Sequence, residues 1–293
     1  MKKNVFFLVL VLTGIFIVSC KNNPPPVQQP PAANPNASPA APAAPASAGA
    51  PVLGVSLSSR YFSPDGDGVD DILTITLSCR SEAPVSNWSF EIYEPEPPNL
   101  VFHQWSGSGN PPATLTWDGK NKEGELVQSA SIYPFTFAAK NNQGNGAEYK
   151  GFIETDILII KEGDVLRVQV PSIYFPPNRG DFNGLDAGLS ASNQFVLGKI
   201  AVTLNRFRDY KVRIEGHANI TAATLEARIK EQVEELQPLS EVRSRTVQDY
   251  LVNLGVDRTR LSYFGIGGAR PVVPYVDHDN WWKNRRVEFI LIK

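Results

Sequence analysis

Four aspartates crowd one short glycine-containing segment, Phe62-Ser-Pro-Asp65-Gly-Asp67-Gly-Val-Asp70-Asp71. Carboxylates at that density can serve a hard cation such as Ca²⁺, which takes several oxygens on a tight loop. The segment lacks the ligand spacing and closing glutamate of a helix-loop-helix calcium site. Asp and Gly also make turns unaided, so a plain turn competes with calcium, and no other cofactor is expected. The three histidines, His103, His217 and His278, are scattered without metal-ligand spacing. No nucleophile stands beside a base in any local pattern, and an enzyme is not expected.

The two cysteines differ. Cys79 ends Leu73-Thr-Ile-Thr-Leu-Ser-Cys79, where Leu73, Ile75, Leu77 and Cys79 share one face, as a small buried strand residue would. Cys20 ends an apolar run, Val5 to Val18, preceded by Lys2 and Lys3. A charged start, an apolar stretch too short to favour spanning a bilayer, and a small residue before the break describe a secretory signal over 1–20. With Cys20 at the signal's end, no intrachain disulfide is expected. Residues 21–51 follow, rich in Pro and Ala with nothing to bury. The prolines exclude helix and favour polyproline II, a tether reaching on the order of 90 Å.

Beyond the tether the chain must build the elements that position any site. It has 293 residues, 42% of them hydrophobic and 20% charged, enough for two ordinary domains. A net charge of −2 supplies no basic face for nucleic acid. Over 52–160, short alternating runs (Ile72–Leu77, Trp88–Tyr93, Thr114–Trp117, Tyr133–Ala139) are separated by Gly, Pro, Asn and Asp. Period-two strands at such spacing predict an all-β sandwich. Over 161–293 the pattern changes. Leu166–Val170 and Ile173–Phe175 read as strands, and Val196, Ile200, Leu204 and Phe207 stripe a helix. Lys211–Gly216 is a strand. Leu225, Ile229, Val233 and Leu236 stripe a second helix, which Pro238 should stop. Ser240 then reads as the N-cap of a third, with Val247, Leu251 and Leu254 buried. Strands at Leu261–Phe264 and Val287–Ile292 complete an α/β two-layer sandwich.

Three resemblances attach to these segments. Ile17-Val18-Ser19-Cys20 resembles a relaxed lipobox, at which bacterial lipoproteins are cut and acylated on cysteine. It implies an anchor in membrane lipid at Cys20, with several acyl chains, palmitate among them, each contributing about 0.8 kcal/mol per buried CH₂. Lys21 rather than Asp after the cysteine favours the outer membrane. The Asp65–Asp71 segment, Trp117-Asp-Gly-Lys120 and the Ala138–Gly144 ending resemble the immunoglobulin-like domain of the flagellar hook-capping protein and of many bacterial surface proteins. That implies a spacer or a docking surface for another envelope protein.

The third covers nearly all of 165–293. Ile173-Tyr-Phe, Ile214-Glu-Gly-His217, Leu239-Ser-Glu-Val-Arg243, Val247–Leu251, Gly265-Ile-Gly267 with Pro271, and Asn284-Arg-Arg-Val-Glu288 resemble, in order, the motifs of the OmpA-like, peptidoglycan-associated domain. The resemblance implies non-covalent binding of the cell-wall stem peptide. In that family an arginine of the Leu-Ser-x-x-Arg motif takes a diaminopimelate carboxylate, and here that motif places Leu239 and Arg243. A guanidinium makes a two-pronged fit to a carboxylate, and the first turn of a helix would add its free N–H groups. The family's ammonium-binding Asp is replaced by Asn219 in Gly216-His-Ala-Asn219. Asn can accept a hydrogen bond but supplies no charge, a loss of something like 1–2 kcal/mol. Either the wall carries another diamino acid, such as ornithine, or wall binding has been lost. Residues 219–239 exceed the family's loop, the excess building the Leu225–Leu236 helix beside the pocket. Tyr275, Trp281 and Trp282 either stack on ligand or cap the core. Asn284, Arg285 and Arg286 stand near the pocket in the family, one arginine being structural, with Glu288 able to pair with either.

The expected protein is a multidomain, non-enzymatic lipoprotein on the periplasmic face of the outer membrane, holding peptidoglycan. The alternative is a lipid-anchored surface adhesin or interaction protein whose OmpA-like domain no longer binds wall.

Overall fold

The computed structural model describes residues 49–293, apart from residue 172. Cys20, the signal segment and most of the tether therefore lie outside the described residues. Among the described residues no helix is long and apolar enough to cross a membrane.

The alternation of the first half places its apolar side chains between two sheets. Strands β1 (Val52–Leu57), β2 (Tyr61–Phe62), β3 (Leu73–Arg80), β4 (Val85–Tyr93), β5 (Val101–Ser108), β6 (Thr114–Trp117), β7 (Ile132–Asn141) and β8 (Gly146–Thr155) form this unit. One sheet has the order β1-β3-β6 and the other β2-β8-β7-β4-β5. Leu73, Ile75 and Leu77 of β3 and Trp117 of β6 meet Phe90, Phe135, Phe137 and Tyr133 in a shared core. Such aromatic burial dominates the stability of a small sandwich. Cys79 is half-buried at its edge with a free thiol, which burial pushes up in pKa.

The second half follows with β9 (Ile160–Glu162), β10 (Val165–Val170), α1 (Ala187–Arg206), β11 (Lys211–His217), α2 (Leu225–Glu231), α3 (Gln237–Asn253), β12 (Leu261–Gly267), α4 (Trp281–Asn284) and β13 (Val287–Ile292). The sheet order is β12-β11-β13-β10-β9. β11 runs parallel to β12, with Val212 beside Leu261, and antiparallel to β13, with Ile214 beside Phe289. Val196, Leu197, Ile200 and Leu204 of α1 and Val247 and Leu251 of α3 cover one sheet face. The result is a two-layer α/β domain beside a β-rich one.

Three local expectations are corrected. Ile173–Phe175 is not a strand but an irregular segment, in which Asn193 of α1 satisfies the backbone of Tyr174 on both sides (Tyr174 N to Oδ1 2.8 Å, Nδ2 to Tyr174 O 2.8 Å). Pro238 does not stop the helix. A π-helical turn, Gln232–Leu236, joins α2 to α3, so the chain stays helical from Leu225 to Asn253. The wider turn moves the preceding carbonyls away from the ring with which they would clash. Ser240 consequently caps nothing. It is buried inside α3, donating to Gln237 O (2.9 Å) and accepting from Gly267 N (2.9 Å).

Candidate functional site

The first turn of α3 sits almost on the backbone of β11 and β12, and two glycines permit it. A Cβ at Gly216 would lie 2.3 Å from Ser240 O, and one at Gly265 would lie 2.3 Å from Gln237 O. The Gly residues of Ile214-Glu-Gly-His217 and Gly265-Ile-Gly267 are thus packing devices, and what they position is Arg243, one turn further along α3. Because the helix is continuous from α2, no free N–H groups surround Arg243, and the expected helix-terminus contribution to anion binding does not exist there.

Arg243 is held instead by carbonyls. Its Nε donates to Arg179 O (2.9 Å) and Nη2 to Pro176 O (3.4 Å), while Phe175 lies under the guanidinium, 5.0 Å from its centroid. Burial and the neighbouring Arg285 lower its pKa. Both arginines line a cavity of about 360 Å³, whose walls also include Tyr174, His217, Trp282 and Glu96. Among the described residues neither Arg243 nor Arg285 forms an ion pair with a carboxylate. Two uncompensated guanidiniums in one cavity attract an anion with hydrogen-bond acceptors, a carboxylate above all.

The neighbouring Arg286 lines the cavity too but is already committed. It is buried, pairs with Glu288 (Nε 2.7 Å, Nη2 2.6 Å) and donates to Arg270 O (3.1 Å). Glu288 also takes Arg167, and Arg213 and Arg270 hold Glu215. These partners keep both carboxyls below their ordinary values despite burial. His217 lies 3.7 Å from each carboxylate with both ring nitrogens unpartnered, and burial lowers its pKa. Glu215, His217 and Glu288 are close enough to share a metal. Four guanidiniums already surround the two carboxylates, however, and would repel a cation there.

Asn219 and Asn284 do not line the cavity. Both are buried and face each other, Asn284 Nδ2 donating to Asn219 Oδ1 (2.7 Å). Asn219 also donates to Ile220 O, and Asn284 Oδ1 accepts from Val272 N (2.8 Å) and Val273 N (3.1 Å). They fasten the loop before α4. Leu239 is half-buried on α3, outside the cavity lining. Trp282 is buried in the cavity wall, whereas Trp281 donates to Tyr275 O (2.9 Å) and Tyr275 carries Arg228 over its ring (3.6 Å). α2, Leu225–Glu231, contributes nothing to the cavity lining.

In the other domain Asp65, Asp67 and Asp71 gather within ligand distance of one another, without Asp70. Asp71 accepts from Gly66 N (2.7 Å) and Gly68 N (2.8 Å), Asp67 from Val69 N (2.8 Å), and Asp65 from Ile159 N (3.0 Å). In this structure the carboxylates shape a turn and tie it to the interdomain segment. Glu96, which no local motif distinguished, lines the cavity and is the wall residue that sequence reasoning missed.

Residues 182–285 match the OmpA family. The chain is similar to the peptidoglycan-associated lipoprotein of Mesorhizobium japonicum, with 31% identity over 115 residues, 38% of this chain and 63% of that one. It is similar to the peptidoglycan-associated lipoprotein of Brucella melitensis as well, with 32% identity over 120 residues, 40% of this chain and 66% of that one. The chain thus spans less than two thirds of either relative. The crystal structure of the peptidoglycan-associated lipoprotein from Burkholderia pseudomallei aligns at 20% identity and a TM-score of 0.31, over 41% of this chain and 87% of that one. The C-terminal part of this chain is an OmpA-like domain.

Proposed function

We propose that the chain is a non-enzymatic lipoprotein that binds the peptidoglycan stem peptide without a covalent bond, tethering the outer membrane to the wall through acylated Cys20. The observation that carries this is the pair Arg243 and Arg285, which line one cavity and, among the described residues, form no ion pair with a carboxylate. A stem peptide presents such carboxylates. The match of residues 182–285 to the OmpA family and the likeness to proteins named peptidoglycan-associated lipoproteins support the reading. The Pro/Ala-rich segment would span from membrane to wall, and the β-rich domain, read as immunoglobulin-like, would act as spacer and envelope-protein contact. A wall whose diamino acid is not diaminopimelate rests on the sequence change to Asn219 alone, since Asn219 lies outside the cavity lining.

Co-sedimentation of the full chain with insoluble peptidoglycan tests this, using diaminopimelate and ornithine walls side by side. The chain is expected in the pellet with one of them, and Arg243→Ala in the supernatant. Wild-type protein that stays soluble with both walls refutes wall binding and leaves the surface-interaction reading.

A further inference from the structure

The cavity that holds Arg243 and Arg285 has a single acidic wall residue, and it belongs to the other domain. Glu96 lies in the loop between β4 and β5 and lines the same cavity as the two guanidiniums. Its Oε1 accepts from the Tyr174 hydroxyl (3.2 Å), itself on the cavity wall. The loop is not free to wander. Glu94 N donates to Leu100 O (2.8 Å) and Asn99 Nδ2 to Glu94 O (2.9 Å), closing its base. Glu94 pairs with Lys283 of α4 (2.7 Å), two residues before Arg285. The contact that fixes the loop therefore also fixes the segment carrying the arginine.

On the OmpA-like side the cavity offers no charge for an ammonium. Asn219 is neutral, lies outside the lining and has its oxygen taken by Asn284, the buried His217 is never anionic, and Arg286 is paired. An occupant bearing both a carboxylate and an ammonium would find cations at one wall and Glu96 at another. At about 360 Å³ the cavity is of a size for one diamino acid residue with part of its neighbours.

We propose that Glu96 receives the side-chain ammonium of the stem-peptide diamino acid whose carboxylate rests on Arg243 and Arg285, so that the β-rich domain supplies part of the wall-binding site. This rests on the peptidoglycan-binding reading above. It assigns that domain a role beyond spacing, and it replaces the missing carboxylate at 219 from outside the OmpA-like domain.

The test is calorimetric titration of the full chain with soluble stem tripeptides ending in diaminopimelate or ornithine, each with its side-chain amine free or acetylated. Wild type is expected to prefer the free amine by about tenfold or more, the scale of one charge-assisted hydrogen bond. Glu96→Gln should remove that preference by weakening only the free-amine peptide. Glu96→Asp should keep part of it, which holds the test open if the glutamine variant folds poorly. Retention of the preference by Glu96→Gln overturns the assignment. So does equal weakening of free and acetylated peptides, which would make Glu96 a support for Tyr174 alone. Wild type that binds none of the peptides fails the peptidoglycan reading itself, and this assignment with it.

Discussion

Arg285 and Arg286 are neighbours in opposite surroundings, one exposed and lining the cavity, the other buried in an ion pair, and surroundings rather than residue type set what each can do. Arg286 is 5% exposed and clamps Glu288, itself 3% exposed. Arg286→Ala strands part of a buried charge cluster, so unfolding in urea should show a loss of about 3 kcal/mol. Arg285→Ala, at an exposed position, should change stability by less than about 0.5 kcal/mol while weakening wall pelleting. The motif Asn284-Arg-Arg-Val-Glu288 announced that one arginine is structural but not which, because the choice depends on which side chain the turn before β13 directs inward. His217 adds a pH dependence. Burial among Glu215, Glu288 and Arg286 keeps its ring neutral and its pKa below the ordinary 6.5. As pH falls past that value the unfolded chain takes up a proton that the folded one refuses, so stability is full above it and declines toward the lowered folded value. The carboxyls of Glu215 and Glu288 are lowered below the ordinary 4.5, so their loss begins only in that more acidic range. His217→Gln should flatten the upper decline alone in denaturation curves taken across pH, and an unaltered slope would place the proton elsewhere.

Among the elements, the strands and helices that bury one regular face were legible in the sequence, and those set by close backbone approach were not. The spacing of Val196, Ile200 and Leu204 names α1, and these residues are buried as expected. The spacing of Leu225, Ile229 and Val233 names a helix equally well, yet all three are more than half exposed. Periodicity reports helix and an apolar stripe; it does not report whether anything covers the stripe. β5 turns Gln104, Ser106 and Ser108 outward and sets His103 and Gly107 among its inward positions, and β8 turns Glu and Lys outward, which thinned their alternation below recognition. The helix break at Pro238 failed as a prediction because a π turn can absorb a proline. The glycine-mediated seat of α3 was visible only as motif letters. Gly216→Ala should force its methyl into the Ser240 carbonyl and cost about 1–3 kcal/mol, read as a lowered urea midpoint. It should also weaken wall pelleting, because the register of Arg243 shifts with α3. Leu225→Ala, changing an exposed side chain, serves as the silent comparison.

At the scale of the molecule, the two domains are joined by more than a covalent link. From the end of β8 to the start of β9 the chain alternates, Ile157 and Ile159 packing into the second core and Leu158 and Ile160 into the first. Lys199 pairs with Asp156 (2.8 Å), and its ammonium lies 3.5 Å from the centre of the Tyr61 ring. At the other end of the contact, Lys283 is 2% exposed and divides its charge between Glu94 and Glu125 of the β-rich domain, 2.7 Å from each. Burial pushes Glu94 up in pKa against the pull of that ammonium. A buried ion pair of this kind contributes little net energy over an apolar replacement, but removing one partner leaves an uncompensated charge. Lys283→Met keeps the length and removes the ammonium, at a cost of about 3 kcal/mol. That cost falls on the interface rather than on either core. Scanning calorimetry should then resolve two transitions in place of one coincident transition, and stem-peptide affinity should fall because Glu96 and Arg285 lose their common anchor. The double variant Glu94→Gln with Lys283→Met should recover part of the stability, since the stranded carboxylate is gone, without recovering the affinity. A single unshifted transition in Lys283→Met would mean that the interleaved segment alone couples the domains, and that the buried lysine does not.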